Sequence, residues 1–334
     1  MKTGILSLVG NTPLVELNQF SKDFRFRLFA KLEAFNPGGS IKDRPALNIL
    51  RTALGRGDIG LGSTIIESSS GNMGIGLAQA CRYYGMRLIC VVDPKTTAQN
   101  INILKAYGAE IDLVSEPDPA TGEFLQARIN RVQSLLNSIP DSFWPDQYSN
   151  IQNAIAHEQT MHEIVTELDG KVDYLFCSTS TCGTIRGCAT YAQNRKLQTK
   201  VLAVDAKGSV LFGDKPAKRL IPGHGAAVVP KLLNRDLVDG VIHVSDLECV
   251  VGCRRLVRDE AILVGGSSGA VIMSIERMRD TIAADATCVA IFPDRGERYL
   301  DTIYSDVWVE QHFGDVFHLW QNPTGVEPWT MATC

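Results

Sequence analysis

Short apolar segments alternate with helical patterns along most of this 334-residue chain. Segments of the strand type are STIIES at 63–68, RLICVVD at 87–93, AEIDLVS at 109–115, VDYLFCST at 172–179, KVLAVDA at 200–206, GVIHVSD at 240–246 and TCVAIFPD at 287–294. Helical patterns follow three of them, at 71–84, 98–107 and 123–137. Continuous apolar strands that alternate with helices are typical of buried parallel sheets. The sequence therefore predicts an α/β protein.

Charge and hydropathy exclude several kinds of partner. The formal net charge is −4, and no basic excess favours nucleic acid or an anionic membrane. No apolar run approaches the roughly 20 residues of a spanning helix. The first residues, MKTGILSLVG, lack the extended apolar region of a secretory signal. The expected partners are therefore small molecules.

The cysteine and histidine patterns indicate neither disulfides nor a metal. Most of the nine cysteines lie inside apolar segments such as LICVV and LFCST. Buried free thiols in a reducing cytoplasm are therefore the expected state. The two histidines of HEQTMH at 157–162 are five residues apart, whereas a helical zinc motif needs four.

The segment NPGGSIKDR at 36–44 places a lysine between a turn and a helix. Gly38 and Gly39 permit a tight turn, and Ser40 is the expected N-cap of the helix. Lys42 then lies in the first helical turn, where the helix dipole lowers the pKa of its amine. A lysine of this kind can form a Schiff base with a carbonyl compound. The alternative is a solvated surface lysine.

Three further junctions combine a strand end with small polar residues. They are ESSSGNMGIG at 67–76, STSTCGTIRG at 178–187 and VGGSSGAVIMSIE at 264–276. Such donors at helix N-termini suit a carboxylate or a phosphate, although helix capping alone also explains each one. Neither G-x-G-x-x-G nor the Gly-Lys-Ser/Thr of a P-loop occurs in them, which disfavours a dehydrogenase or a nucleoside triphosphatase. Ligands of open α/β sheets bind at this edge of the strands, so one pocket is expected.

Taken in order, these motifs resemble the cysteine synthase family over about residues 5–310. Members are pyridoxal 5'-phosphate (PLP) enzymes of fold type II, the tryptophan synthase β-subunit-like fold. GNTPLVEL at 10–17, QYSNIQNAIAH at 147–157 and GERYL at 296–300 also match family segments.

The resemblance implies two parallel-sheet α/β domains and a homodimer. The smaller, mobile domain is expected at 36–145, and the PLP-binding domain comprises 1–35 and 146–311. The segment SIPDSFWPDQYSN at 138–150 is the best boundary, and 312–334 is expected to be an irregular C-terminal extension.

The same match implies roles for single residues. Lys42 becomes the Schiff-base lysine, and Ser267 faces the pyridine nitrogen. The cofactor phosphate is implied to lie on Ser180, Thr181, Cys182, Gly183 and Thr184. The substrate carboxylate is implied to lie on Ser69, Ser70, Gly71 and Asn72, with Asn72 also beside the ring oxygen. A serine at the pyridine nitrogen leaves that nitrogen largely unprotonated, which suits β-elimination.

Met73, Tyr148 and Ser180 depart from the usual cysteine synthase pattern. With VDAKGSVLFGDKPAKRLIPGHG at 204–225 and FPDRGERYLDTIYSDVW at 292–308, they resemble a branch that serves 2,3-diaminopropionate formation for siderophores and peptide antibiotics. That branch joins O-phospho-L-serine to L-glutamate through an α-aminoacrylate and releases phosphate. A cysteine synthase that uses O-phosphoserine or O-acetylserine with sulfide is the alternative. A homologue that binds without turnover is a second alternative.

A second substrate with two carboxylates needs fixed cations, and arginine binds carboxylates in a bidentate manner. Arg128 is the leading candidate, and we place it at the substrate with Gln147, Tyr148 and Ser180. Arg186 is a further candidate. Weaker candidates are Lys215, Lys218 and Arg219.

Overall fold

The computed structural model of the protein describes residues 3–120 and 122–321. Two sheets organise the chain. From edge to edge, the larger sheet contains β1 (Leu14–Glu16), β2 (Arg27–Leu32), β10 (Thr287–Phe292), β7 (Tyr174–Ser178), β8 (Lys200–Ala206) and β9 (Gly240–Val244). Only the β1–β2 pair in this sheet is antiparallel among the described residues. The smaller sheet contains β5 (Glu110–Leu113), β4 (Arg87–Val92), β3 (Thr64–Glu67) and β6 (Ser142–Phe143), all parallel.

Helices cover both sheets. They are α1 (Asp43–Arg56), α2 (Asn72–Tyr84), α3 (Ala98–Ala106), α4 (Phe124–Ser138), α5 (Ile151–Glu167), α6 (Gly183–Asn194), α7 (Asp246–Glu260), α8 (Gly266–Met278) and α9 (Asp306–Phe313). All seven segments of the strand type contain a strand, and the three helical patterns coincide with α2, α3 and α4. The predicted α/β class with parallel sheets in two domains is thus confirmed.

The smaller sheet falls entirely within residues 36–145, because its strands begin at Thr64 and end at Phe143. The limits of the two domains stay a prediction. Every position of β3 and of β10 is buried, which explains their unbroken apolar sequences. β10 lies between β2 and β7, so Ala290 pairs with both Ala30 and Phe176.

The described cysteines are all free and buried, as their apolar settings predict. No helix in residues 3–120 or 122–321 is long and apolar enough to cross a membrane. Nor does any group of three acidic, histidine or cysteine side chains in these ranges suit a metal ion.

The first residues of the predicted C-terminal extension, 312–321, lie within the described structure. Its first residues complete α9, and Trp320 is buried in the core of the larger sheet. Residues 322–334 of that extension lie outside the described residues.

Candidate active site

Lys42 lies at the carboxyl side of both sheets, immediately before α1. The prediction that Ser40 caps this helix is wrong, because α1 begins at Asp43 and Lys42 itself is the N-cap residue. The Ser40 hydroxyl instead accepts a hydrogen bond from the Lys42 amide at 3.2 Å. Local turn bonds, with Asn36 as an acceptor, shape the segment before it.

Burial lowers the pKa of the Lys42 amine to about 8. The helix dipole was the expected cause of a lowered pKa at Lys42. In the structure the cause is desolvation by burial. Lys42 Nζ lies 3.4 Å from Thr181 Oγ1, at the start of α6. The lysine loop and the loop after β7 therefore meet, as predicted. An amine with a pKa of about 8 is about half deprotonated at pH 8, and the deprotonated form can act as a nucleophile and as a base.

Four buried charges fix the segment that carries Lys42. Arg44 forms paired hydrogen bonds of 2.7–2.8 Å to Glu33 and of 2.7 Å to Glu163. Lys31 on β2 also contacts Glu163, at 2.9 Å. Burial opposes ionisation, yet Arg44 and Lys31 hold the pKa of Glu163 at about 2. The two positive and two negative charges balance, so the network joins α1 to β2 and α5 without an unpaired buried ion.

The loop before α6 forms a concave main-chain surface. Cys182 is the N-cap residue and has left-handed backbone geometry, with φ of 62°. Such a turn points successive N–H groups inward, and the first turn of α6 adds N–H groups that have no partner within the helix. At Gly183 a Cβ atom would lie 2.2 Å from Asn153 Oδ1, so only glycine fits there. Burial raises the pKa of the Cys182 thiol to about 12, which keeps it protonated.

Thr184 contributes a hydroxyl to the same surface. Its Oγ1 lies 3.3 Å from His157 Nε2, and His157 Nδ1 lies 3.2 Å from Thr160 Oγ1. Burial lowers the pKa of His157 well below its ordinary value, so the imidazole is neutral. Ser180 and Thr181 complete this loop, with Ser180 half-buried and Thr181 buried.

The serine loop before α2 combines capping with free polar groups. Ser69 Oγ accepts a hydrogen bond from the Gly74 amide at 3.0 Å, so this serine supports the helix start. Ser70 and Gly71 are half-buried, and nothing lies within 4 Å of a Cβ built at Gly71. Met73 points into the core of the smaller sheet, so this departure from the family pattern concerns packing.

Ser267, which is 9% exposed, lies in the first turn of α8. The adjacent Gly266 packs so closely on Ile221 that a Cβ would lie 2.5 Å from the isoleucine side chain. The neighbouring Ser268 is buried, and its hydroxyl has no partner.

The charges of Arg128, Glu67 and Arg219 act on the buried Tyr148 hydroxyl. Burial raises the pKa of its hydroxyl, and the guanidinium groups of Arg128 and Arg219 act in the opposite direction. Arg128 lies on α4 with its side chain 16% exposed, and its Nε is 3.4 Å from Asp93 Oδ2 without a hydrogen bond. Arg219 Nη1 donates to the His224 carbonyl at 2.9 Å, while its Nε is buried without a partner.

The other cation candidates lie in different surroundings. Arg186 Nη1 donates to the carbonyl of Leu232 at 3.3 Å, which gives it a structural role. Lys215 and Lys218 are exposed. Of the weaker candidates, Arg219 is the one whose charge acts on the Tyr148 hydroxyl. Gln147, beside Tyr148, is buried, and its carbonyl accepts from Asn153 Nδ2 at 2.7 Å.

Two buried carboxyl groups at this site were not identified from the sequence. Glu67, at the end of β3, accepts hydrogen bonds from the Ser68 amide at 2.8 Å and from Trp144 Nε1 at 3.2 Å. Burial raises its pKa to about 7. Asp294 accepts a hydrogen bond from Asn72 Nδ2 at 2.7 Å. The position of Glu67 and Asp294 at or after the end of a strand was the only signal for a site role. Other acidic residues also follow strands, so the local sequence does not distinguish these two.

These residues fit pyridoxal phosphate. Lys42 supplies an amine of lowered pKa for the aldehyde, and the Thr181 hydroxyl beside it belongs to the loop that suits the phosphate. Ser267 would face the ring nitrogen. When bound, the cofactor supplies a sink for the electron pair left at the substrate Cα.

A family model described as pyridoxal-phosphate dependent enzyme matches residues 5–294. The chain therefore belongs to this family, and its two parallel sheets match the predicted tryptophan synthase β-subunit-like fold. Its cofactor is PLP.

Solved structures that are similar over nearly the whole chain narrow the class. Cysteine synthase from Entamoeba histolytica is 33% identical, with a TM-score of 0.84 over 91% of each chain. O-acetylserine dependent cystathionine β-synthase from Helicobacter pylori is 31% identical, with a TM-score of 0.83 over 91% of this chain and 99% of that one. O-ureido-L-serine synthase is 27% identical, with a TM-score of 0.85 over 92% of this chain and 96% of that one. The chain is a PLP-dependent β-replacement enzyme of the cysteine synthase type.

Proposed function

We propose that this enzyme joins O-phospho-L-serine and L-glutamate to give N-(2-amino-2-carboxyethyl)-L-glutamate and phosphate. The bond from Cβ to the phosphate oxygen breaks, and a bond from Cβ to the glutamate nitrogen forms. The attacking amine loses one proton. The product is a precursor suited to 2,3-diaminopropionate formation, as the resemblance to that branch implies.

The observation that carries this proposal is the pair of arginines at Tyr148. The two substrates together bring a phosphate and three carboxylates to one site, so their recognition needs several fixed cations. Both Arg128 and Arg219 affect the Tyr148 hydroxyl, and each retains a buried Nε without a hydrogen bond. Sulfide would need no such cations beyond those for the donor.

Each arginine has a defined place in this proposal. Arg128 lies opposite Asp93, which holds it loosely at 3.4 Å and leaves donors for a substrate. Arg219 is oriented by the His224 carbonyl, and burial lowers the pKa of His224 to about 3, so that side chain stays neutral. A neutral neighbour adds no competing charge. Tyr148 and Ser180 add hydroxyl groups for the phosphate of the donor.

The remaining residues hold the amino-acid part of the donor. Ser69, Ser70, Gly71 and Asn72 bind its carboxylate at the start of α2, where main-chain N–H groups favour an anion. Gln147 lies at the same substrate. Lys42 Nζ removes the proton from Cα and returns it after the new bond has formed. An amine with a pKa of about 8 suits both steps near neutral pH.

The second candidate is a cysteine synthase that uses O-phosphoserine or O-acetylserine with sulfide. The 33% identity to the Entamoeba cysteine synthase favours it. The two candidates share the donor half-reaction and differ in the nucleophile.

Product analysis tests the proposal. Purified holoenzyme is incubated with O-phospho-L-serine and an equimolar mixture of L-glutamate and sulfide, and the products are separated by mass. We expect the glutamate adduct and stoichiometric phosphate. Cysteine as the main product would refute the proposal and support the second candidate. O-acetyl-L-serine in place of the phosphate donor distinguishes the leaving groups.

We also propose a cytoplasmic homodimer in which residues 36–145 close on the larger domain when the donor binds. Closure would exclude water from the reacting carbon. Small-angle scattering with and without O-phospho-L-serine tests this, and an unchanged radius of gyration would count against closure.

A further inference from the structure

Asp294 lies where three of the four predicted loops meet. It follows β10 by two residues, and Ser40 forms an antiparallel bridge with it. A Cβ built at Gly265, just before α8, would lie 2.1 Å from Asp294 Oδ1. Asn72, the first residue of α2, donates to Asp294 Oδ2. Asp294 thus contacts the lysine loop through its main chain, and its carboxyl group lies against the serine loop and the loop that carries Ser267.

The bonding of this carboxyl group fixes the orientation of the Asn72 amide. Asp294 is 2% exposed, and its Oδ2 accepts from Asn72 Nδ2 at 2.7 Å and from the Tyr299 hydroxyl at 2.6 Å. Oδ1 is buried without a partner. Because an ionised carboxylate oxygen can only accept hydrogen bonds, Oδ2 faces the NH₂ group of Asn72 and not its carbonyl oxygen. One N–H of that group remains for another acceptor.

The position of Asn72 relative to Lys42 identifies that acceptor. Asn72 and Gly76 are one helical turn apart on the same face of α2. A Cβ at Gly76 would lie 3.1 Å from the Lys42 carbonyl oxygen, so this face lies on the main chain of Lys42. In PLP the ring hydroxyl is attached next to the carbon that bears the aldehyde. The family resemblance places Asn72 beside that ring oxygen, and the position of α2 against Lys42 is consistent with this placement.

We propose that Asp294 is a positioning residue, which takes one N–H of Asn72 and so directs the other to the ring oxygen of PLP. The Tyr299 hydroxyl donates to the same carboxylate oxygen and helps to hold it in place. The inference rests on the proposed function only for the placement of Asn72 beside the ring oxygen, which the family resemblance implies, and not on the identity of donor or nucleophile.

The test is the visible spectrum of the resting holoenzyme without substrates. Its two cofactor bands report where the proton shared by the Lys42 nitrogen and the ring oxygen lies. Asp294→Asn permits either orientation of the Asn72 amide, so we expect the band ratio to change about 2- to 10-fold, the range of one hydrogen bond. Asp301→Asn, an exposed aspartate in the same segment, should leave the ratio unchanged.

A double-mutant cycle with Asn72→Ala separates positioning from a general structural effect. In the Asn72→Ala background, Asp294→Asn should produce no further change in the band ratio. An unchanged ratio in Asp294→Asn, or an equal change with and without Asn72, would overturn the inference. If Asp294→Asn is insoluble, Asp294→Ser replaces it in the same cycle. Because no substrate is present, a failure here is distinct from a wrong nucleophile.

Discussion

The lysine side and the Tyr148 side of the active site differ in how their charges are satisfied. Beside Lys42, Arg44 is bonded through all three of its guanidinium nitrogens to two carboxylates and Thr12. Beside Tyr148, Arg128 has a single loose contact to Asp93, at 3.4 Å. Both regions are largely buried.

A buried charge with complete partners is costly to move, which makes it suitable for holding a catalytic group in place. A buried charge with unused donors is available to a ligand, because the ligand completes its hydrogen bonds. The comparison therefore separates a supporting region around Lys42 from a recognition region around Tyr148, to which the proposed function assigns the choice of substrate.

The supporting region has the largest expected effect on activity. Lys42→Ala removes the proposed proton-transfer group, and general acid–base catalysis contributes about 10²–10⁴-fold in rate. We expect at least that loss in the rate of leaving-group release from O-phospho-L-serine. Lys22→Ala, an exposed lysine, is the control and should keep the parental rate. A Lys42→Ala enzyme within tenfold of the parent would contradict the assignment.

Arg44→Met tests whether the supporting region is an obligatory charge network. It leaves Glu33 and Glu163 buried with Lys31 alone, and breaking a buried pair in this way costs about 3–5 kcal/mol of unfolding free energy. Denaturant unfolding measures the loss. The control is Arg87→Met, which breaks an exposed pair with Glu110 worth about 1 kcal/mol or less. Equal losses in the two variants would show that burial does not distinguish them.

Glu67, whose charge acts on Tyr148 in the recognition region, makes stability depend on pH. Its folded pKa of about 7 lies above the ordinary 4.5. The contribution of protonated Glu67 to the free energy of unfolding is therefore complete below pH 4.5 and is lost as the pH rises through 7. A pKa shift of this size changes the free energy of unfolding by about 3 kcal/mol between low and high pH. Glu67→Gln should unfold at higher denaturant than the parent at pH 8 and similarly at pH 4.5. A constant difference between variants at both pH values would refute the raised pKa.

The recognition region has a smaller and more selective effect. Arg128→Ala should spare release of phosphate from O-phospho-L-serine but weaken the addition of glutamate about 10- to 100-fold in kcat/KM, since a charged hydrogen bond contributes about 1.5–3 kcal/mol. Arg131→Ala, one turn further along α4 and paired with Asp112 at 2.8 Å, is the matched control. Unchanged turnover with glutamate in Arg128→Ala would remove this arginine from the site.

Local sequence patterns predicted most of the framework. Apolar runs and helical periodicity located the strands and the main helices, because burial on both sheet faces requires unbroken apolar residues. Motif order placed Lys42 near Thr181, and the structure brings them to 3.4 Å. The start of α1 was misplaced by local reasoning, because Ser40 resembles a cap while Lys42 occupies that position.

What the sequence determined by itself was the fold class and the cofactor, since these depend on short segments with local signals; the loops that hold the cofactor stay a prediction. Only the tertiary structure decided which distant charges meet. It paired Arg44 with Glu163, bonded Arg186 to the Leu232 carbonyl, and set Asp294 against Asn72. The physical reason is that such contacts arise from the packing of elements far apart in the chain, and no periodicity records the neighbour that another segment supplies.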